Sequence, residues 1–189
     1  FNLVEIGAGR GTLMQDMLRV IPSDILDEVY IVETSPRLRQ IQKQLLGNRV
    51  KWISSIDDIT SPSIFIGNEF FDALPIKQFV NGKERVIINI EGNLCFDPKE
   101  ADNITETSDI AKSFMVNICD KIKQFGGGFL FADYGYKTGT GNSLQAVKDH
   151  KYSDLLQDIG SSDITAHVNF AELCDIAKDI GNLHLDSQS

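Results

Sequence analysis

The chain has 189 residues, with 18 Lys or Arg against 27 Asp or Glu, so its formal net charge is −9. A hydrophobic content of 42% with 8% aromatic residues supplies one sizeable core and excludes a fibre or a coil. No run approaches the roughly 18 uninterrupted apolar residues of a membrane span, and the acid excess, with no Lys/Arg-rich run, argues against a surface that tracks nucleic-acid phosphates.

The chain opens on Phe1-Asn2-Leu3-Val4-Glu5-Ile6, which enters a core at once, with neither a polar lead-in nor a secretory pattern; a piece of a longer protein is expected. Short apolar runs predict strands over 3–6, 29–32, 50–53, 64–66 and 129–132. Between them, residues 12–20 put Leu13, Met14, Met17 and Leu18 at helical spacing. Residues 36–46 place Leu38, Ile41, Leu45 and Leu46 on one face, behind a Ser35 cap and Pro36 in the first turn. Alternating strands and helices predict an α/β fold with a mostly parallel sheet and helices on both faces.

Residues 76–80 and 86–90 flank Asn81-Gly82, a pair that supplies the positive backbone angles of a tight hairpin turn. Glu91-Gly92-Asn93 extends the hairpin into a meander, so an insertion over 76–96 is expected within a single domain spanning 1–189. Ile110, Phe114, Ile118 and Ile122 mark one face of a helix over 110–125, and Gly126-Gly127-Gly128 ends it before the strand that leads into Asp133-Tyr134-Gly135-Tyr136. Lys137 to Ser143 reads as a loop beside a site, and residues 181–189 as a last strand with no helix to cover it. Cys95, Cys119 and Cys174 form no CxxC pattern, and His150, His167 and His184 form no HExxH pairing. No disulfide framework and no metal site are expected, and a reducing compartment is.

The segment that carries chemistry is Glu5-Ile6-Gly7-Ala8-Gly9-Arg10-Gly11-Thr12, a glycine-rich turn between the first strand and the first helix. There the backbone can approach a cofactor at a helix N-terminus. A dinucleotide fingerprint needs Gly where Thr12 stands; the GxGxG spacing favours S-adenosylmethionine over NAD. Glu33, at the end of the next strand, can grip two ribose hydroxyls through charge-assisted hydrogen bonds of about 1.5–3 kcal/mol each, and serves either cofactor. The fourth strand ends in Gly67-Asn68-Glu69-Phe70-Phe71-Asp72-Ala73-Leu74-Pro75. This puts an amide, two carboxylates and two aromatics at the edge where ligands of open α/β sheets bind.

The stretch from Leu3 to Met14, Glu33-Thr34-Ser35-Pro36, Asn68-Glu69-Phe70-Phe71-Asp72-Ala73-Leu74-Pro75 and Asp163-Ile164-Thr165-Ala166-His167-Val168 together resemble the MidA family, over nearly the whole chain. That family includes the mitochondrial arginine methyltransferase needed to assemble respiratory complex I. The resemblance implies a class I, Rossmann-like S-adenosylmethionine-dependent methyltransferase, with S-adenosylhomocysteine as product. It implies a protein substrate with a basic acceptor segment, on a complex I subunit by the same resemblance, and a place in the mitochondrial matrix or, in a bacterium, the cytoplasm. Cofactor contacts are expected from Glu5, Gly7, Ala8, Gly9, Gly11, Thr12, Leu13, Glu33 and Thr34, with Asp57 reaching the adenine amine. Asn68, Glu69 and Asp72 are expected to bind and orient the acceptor guanidinium, while Tyr134, Tyr136 and His167 stay open between site and structure. Family members usually carry Pro where Ala8 stands, and their N-terminal segment and last C-terminal strands are absent from these residues. An NAD-dependent oxidoreductase and a non-catalytic assembly protein on the same fold are the alternatives.

Overall fold

In the computed structural model, which describes residues 1–138, 141–157 and 159–180, the first apolar run folds as β1 (Asn2–Ile6) with all five residues buried. Alternation along the strand sends Leu3 and Glu5 to one face and Val4 and Ile6 to the other. α1 (Thr12–Val20) follows the glycine turn, then β2 (Val29–Val32) and α2 (Pro36–Leu46). The Ser35 hydroxyl caps α2 by accepting the Leu38 N–H at 3.3 Å, and Pro36 takes the first helical position. β3 (Lys51–Ile53) and β4 (Ser63–Asn68) complete this run.

The chain next forms β5 (Lys77–Val80), β6 (Lys83–Ile90), β7 (Asn93–Asp97) and β8 (Ile104–Thr107), an antiparallel sheet of order β7-β6-β5-β8. Asn81, at φ 50°, and Gly82, at φ 78°, make the tight turn, and Val80 pairs with Lys83 across it. Beyond the expected meander, β8 is a fourth strand. Its inward positions are Ile104 and Glu106, so one of its two core-facing residues is charged and the apolar alternation that reveals a strand is missing.

α3 (Asp109–Phe125) leads into β9 (Gly127–Ala132), which returns beside β4. All pairs in the sheet β3-β2-β1-β4-β9 are parallel. Leu3, Val29, Ile31 and Ile66 pack on one face with Met14 of α1 and Leu46 of α2, whereas Val4, Ile6, Val32 and Phe65 pack on the other with Ile118 and Ile122 of α3. Helices on both faces of a parallel sheet thus cover its two apolar sides. The rest of the described chain is β10 (Gly135–Tyr136), β11 (Gln145–Lys148), β12 (Lys151–Ser153), β13 (Asp163–Thr165), β14 (Val168–Asn169) and α4 (Phe170–Ile180).

Two compact units result. The first comprises Phe1–Phe70, Phe114–Asp133 and 177–180, the second Phe71–Ser113 and Tyr134–Ile176. In the second, β11 pairs antiparallel with β12 and β13, and β10 pairs parallel with β14. The buried Glu106 carboxylate there accepts bonds from the Gln78 amide, the backbone N–H groups of Ser143 and Leu144, and the Ser143 hydroxyl. Of the expected loop, positions 139 and 140 lie outside the described residues, as does the expected last strand over 181–189. Among the described residues no helix is long and apolar enough to cross a membrane.

Candidate functional site

Parallel pairing brings the carboxyl ends of β1, β2, β3, β4 and β9 to one edge of the sheet. The chain leaves β1 through a turn that the Gly11 N–H closes by donating to the Ala8 carbonyl at 2.7 Å. The N-cap residue of α1, Gly11, has no side chain to cap it, which leaves the N–H groups of Thr12 and Leu13 at the positive end of the helix dipole. Gly9 stands at φ 53°, and a Cβ built on it would meet nothing within 4 Å, so the floor of the turn is open to a ligand. Gly7 is packed instead, because a Cβ there would lie 2.7 Å from the Phe70 ring. Ala8 faces the core with Leu3 and Met14 and contributes only its backbone to the turn, while Thr12 and Leu13 are exposed on the first turn of α1.

Glu5 lies under this helix start, 2% exposed. Its carboxyl accepts the Met14 N–H, but burial outweighs that bond and raises its pKa to about 7. The second oxygen, Oε2, has no hydrogen-bond partner among the described residues. A buried acid with an idle oxygen, on the strand that leads into an open glycine turn, suits a cationic ligand group.

Glu33 follows β2 and is also buried. Its Oε1 accepts the Ser35 N–H at 2.8 Å and its Oε2 accepts the Gln42 amide at 3.2 Å; the same amide donates to the Gly9 carbonyl at 2.8 Å. Arg39 donates to the carbonyls of Glu33 at 2.6 Å and Ile53 at 3.0 Å, and so ties the ends of β2 and β3 together. Thr34 is exposed beside Glu33. Asp57 sits in an exposed turn after β3, its carboxylate held by the Ser55 hydroxyl at 2.7 Å and its carbonyl by Lys121 at 2.8 Å.

At the end of β4, Asn68 and Glu69 are exposed. Glu69 adopts φ 50°, a left-handed conformation that costs a non-glycine residue on the order of 1–3 kcal/mol. It is held there from both sides. The Glu69 N–H donates to the Ala132 carbonyl at 2.9 Å, and the next N–H, of Phe70, donates to Asp133 Oδ2 at 3.0 Å. Phe70 packs edge-on against Phe114 at 5.0 Å. Asp72 belongs to the second unit, where it is buried and its carbonyl accepts the Ala166 N–H at 3.0 Å. In that unit Tyr134 and His167 are exposed, and the Tyr136 hydroxyl has its pKa raised by burial and by the charges of Glu106 and Glu172.

The first unit therefore gathers Glu5, the glycine turn, Glu33, Asp57, Asn68 and Glu69 along one edge. Gln42, Trp52 and Arg39 complete that edge without being singled out by the sequence, as does the carboxylate of Asp133, which the sequence marks only as the start of the segment Asp133-Tyr134-Gly135-Tyr136. Gln42 alone carried a visible signal, as an amide on the otherwise apolar stripe of Leu38, Ile41, Leu45 and Leu46.

This donor set fits S-adenosylmethionine, whose amino-acid end carries an ammonium and a carboxylate and whose ribose carries two hydroxyls: an idle buried acid oxygen, free helix N–H groups and a second acid are all present. The family profile described as "Putative S-adenosyl-L-methionine-dependent methyltransferase" matches residues 1–101 and 87–188. The chain is 33% identical to the Caenorhabditis elegans mitochondrial protein arginine methyltransferase NDUFAF7 homolog, a match that covers 95% of the chain and 53% of that protein. It is 31% identical to protein arginine methyltransferase NDUFAF7 of Danio rerio, covering 94% and 54%. The chain thus spans about half the length of the relatives it matches. Among solved structures, an uncharacterized protein from Burkholderia thailandensis superposes with a TM-score of 0.81 at 25% identity, over 95% of this chain and 57% of that one. A second structure from that organism, bound to S-adenosyl-homocysteine, shares the fold with a TM-score of 0.77 at 24% identity, over 95% and 56%.

Proposed function

The chain belongs to the S-adenosyl-L-methionine-dependent methyltransferase family whose profile spans it and has the class I methyltransferase fold, and we propose that the protein transfers the cofactor's methyl group to an arginine of a protein substrate. Two observations on the same strand-turn-helix carry this reading: the open floor at Gly9 and the idle, buried oxygen of Glu5. In this reading Glu5 faces the cofactor's ammonium. The backbone of Gly7, Ala8, Gly9 and Gly11 and the first turn at Thr12 and Leu13 border its amino-acid end. Glu33, flanked by Thr34, takes the ribose hydroxyls, and Asp57 takes the adenine amine.

S-adenosylmethionine, when bound, supplies a methyl group on a sulfonium centre, open to in-line displacement. The protein's task is to align the incoming nitrogen and keep water away. An arginine nitrogen is a poor nucleophile while its charge is spread over the guanidinium. A carboxylate that accepts two parallel hydrogen bonds from the other nitrogens draws the charge toward them and leaves the third more reactive. Glu69 is the group for this role, set in a fixed backbone conformation, and the Asn68 carbonyl would orient the attacking nitrogen. Asp72 is a further acidic candidate on the same sequence segment, to be tested by its own substitution.

Arginine as the acceptor is supported by the names of the relatives, which are protein arginine methyltransferases, and by the acidic balance, which attracts a basic segment. The family resemblance in the sequence points to a basic segment of a respiratory complex I subunit as the substrate, and the relatives, named as mitochondrial proteins, support the mitochondrial matrix as the place of action, or the cytoplasm if bacterial. Calorimetric titration of the full-length protein with S-adenosylhomocysteine and, separately, with NAD tests the cofactor. The adduct alone is expected to bind, and binding of NAD alone would overturn the reading. Transfer of labelled methyl to an arginine peptide tests the acceptor, and cofactor binding with no turnover on any basic peptide would favour a non-catalytic assembly protein.

A further inference from the structure

We propose that Gln42 and Trp52 are positioning residues for the cofactor: a buried relay that holds the Glu33 carboxylate in the orientation it presents to the ribose. The proposal rests on the reading of Glu33 as the ribose acid.

Gln42 is 0% exposed on α2. An amide taken out of water must have its donors and acceptor satisfied, and here all are. The Trp52 indole N–H, from β3, donates to Gln42 Oε1 at 2.8 Å. Gln42 Nε2 donates to the Gly9 carbonyl at 2.8 Å and to Glu33 Oε2 at 3.2 Å. Indole is a donor only, whereas a carbonyl and a carboxylate are acceptors only. The amide therefore has one allowed orientation: turned over, it would set N–H against N–H at Trp52 and oxygen against oxygen at both Gly9 and Glu33. Lys43 lies over the Trp52 ring, 5.5 Å from its centroid.

The consequence falls on Glu33. An ionised carboxylate offers about four acceptor positions. The Ser35 N–H occupies one on Oε1 and Gln42 one on Oε2, which pins both oxygens and leaves one position on each, matching the two hydroxyls of a ribose. The Arg39 bond to the Glu33 carbonyl fixes the backbone beneath. A residue needed only to fill the space between α2 and the sheet would be apolar, as the neighbouring Leu46 is. Every polar atom of Gln42 instead meets either Trp52 or one of two groups on the cofactor edge.

The test compares S-adenosylhomocysteine with its 2′-deoxy analogue, which lacks one of the hydroxyls Glu33 would hold. Binding of both is measured by calorimetry to the full-length wild type and to two variants. Gln42→Met nearly keeps the volume but removes the amide, and Trp52→Phe removes the indole donor with some ring volume while keeping an aromatic face. Gln42→Met is expected to weaken the full ligand by roughly tenfold and the deoxy analogue by no more than about twofold, so discrimination between them shrinks. Trp52→Phe should act in the same direction with a smaller loss. Should Gln42→Met fail to fold, the comparison on Trp52→Phe decides. Equal losses on both ligands would mean that Gln42 acts on the fold, and no loss that it does not act; either overturns the proposal. A wild type that binds neither ligand would overturn the cofactor reading itself, whereas a wild type that binds both equally would overturn the role of Glu33 and, with it, of Gln42.

Discussion

A carboxyl group under a helix start, cut off from water and with one oxygen idle, costs the folded chain stability whenever it is charged. For Glu5 the cost is visible as a pKa raised from 4.5 to about 7. The unfolded chain ionises Glu5 above pH 4.5 while the folded chain keeps its proton up to about pH 7. Glu5's contribution is therefore fully present below the lower value, falls as pH rises between the two, and levels off above the higher. The full loss is roughly 3 kcal/mol, taken as an upper bound. Urea unfolding near pH 5 and near pH 8 should show wild type losing stability relative to Glu5→Gln, and parallel pH profiles would refute the assignment. Ligand binding adds the complement. A cation next to the idle oxygen favours the charged form, so binding of S-adenosylhomocysteine should release a proton below pH about 7 and tighten as pH rises. Titrations in buffers of different ionisation enthalpy read that proton directly.

Among the elements, the seam between β4 and β9 is the most demanding. Ser63 pairs with Gly127 there, and a Cβ built on Gly127 would overlap the Ser63 carbonyl of the neighbouring strand. Backbone cannot yield as a flexible side chain does, so Gly127→Ala is expected to destabilise the protein by about 3 kcal/mol or more. A thermal melt within about 1 kcal/mol of wild type would contradict the strand pairing. From sequence, Gly126-Gly127-Gly128 reads as a helix stop, which holds for Gly126, whose N–H donates to the Ile122 carbonyl at 2.8 Å. The second role, close approach of two strands, depends on Ser63 far away in the chain and has no local mark. The same distinction separates what was legible in the sequence from what was not. The parallel strands and α1 to α3 announce themselves by apolar spacing, because each buries a face. β8 hides because its inward Glu106 is satisfied by Ser143 and Leu144, residues of a distant loop. β10 and β14 are two residues each, too short to show a period. In the site, the glycine turn, Glu5 and Glu33 follow from the strand-turn-helix pattern, whereas Gln42 and Trp52 act through partners that only the fold brings near.

Over these 189 residues, 27 acidic against 18 basic side chains make a field that would draw the proposed basic acceptor segment toward the protein. That field and the local grip on the guanidinium are separable, because salt screens the first over a Debye length of about 10 Å at 0.1 M and scarcely weakens close charge-assisted hydrogen bonds. With a Lys/Arg-rich arginine peptide, kcat/KM should fall as ionic strength rises, chiefly through KM, and with a peptide of no net charge it should stay nearly flat. Glu69→Gln removes one charge from the field but all of the carboxylate's pull on the guanidinium, since an amide offers one acceptor and its nitrogen opposes a donor with a donor. Its effect should therefore appear mainly in kcat, a loss on the order of 100-fold at every ionic strength, with the affinity for S-adenosylhomocysteine unchanged. The left-handed backbone at Glu69 is held by Ala132 and Asp133 through main-chain N–H groups, which the substitution leaves in place. Lost activity would then report chemistry and not a collapsed turn. Methyl transfer that survives Glu69→Gln within a few-fold would remove Glu69 from the reaction and leave Asp72 and the acid excess to support a basic substrate.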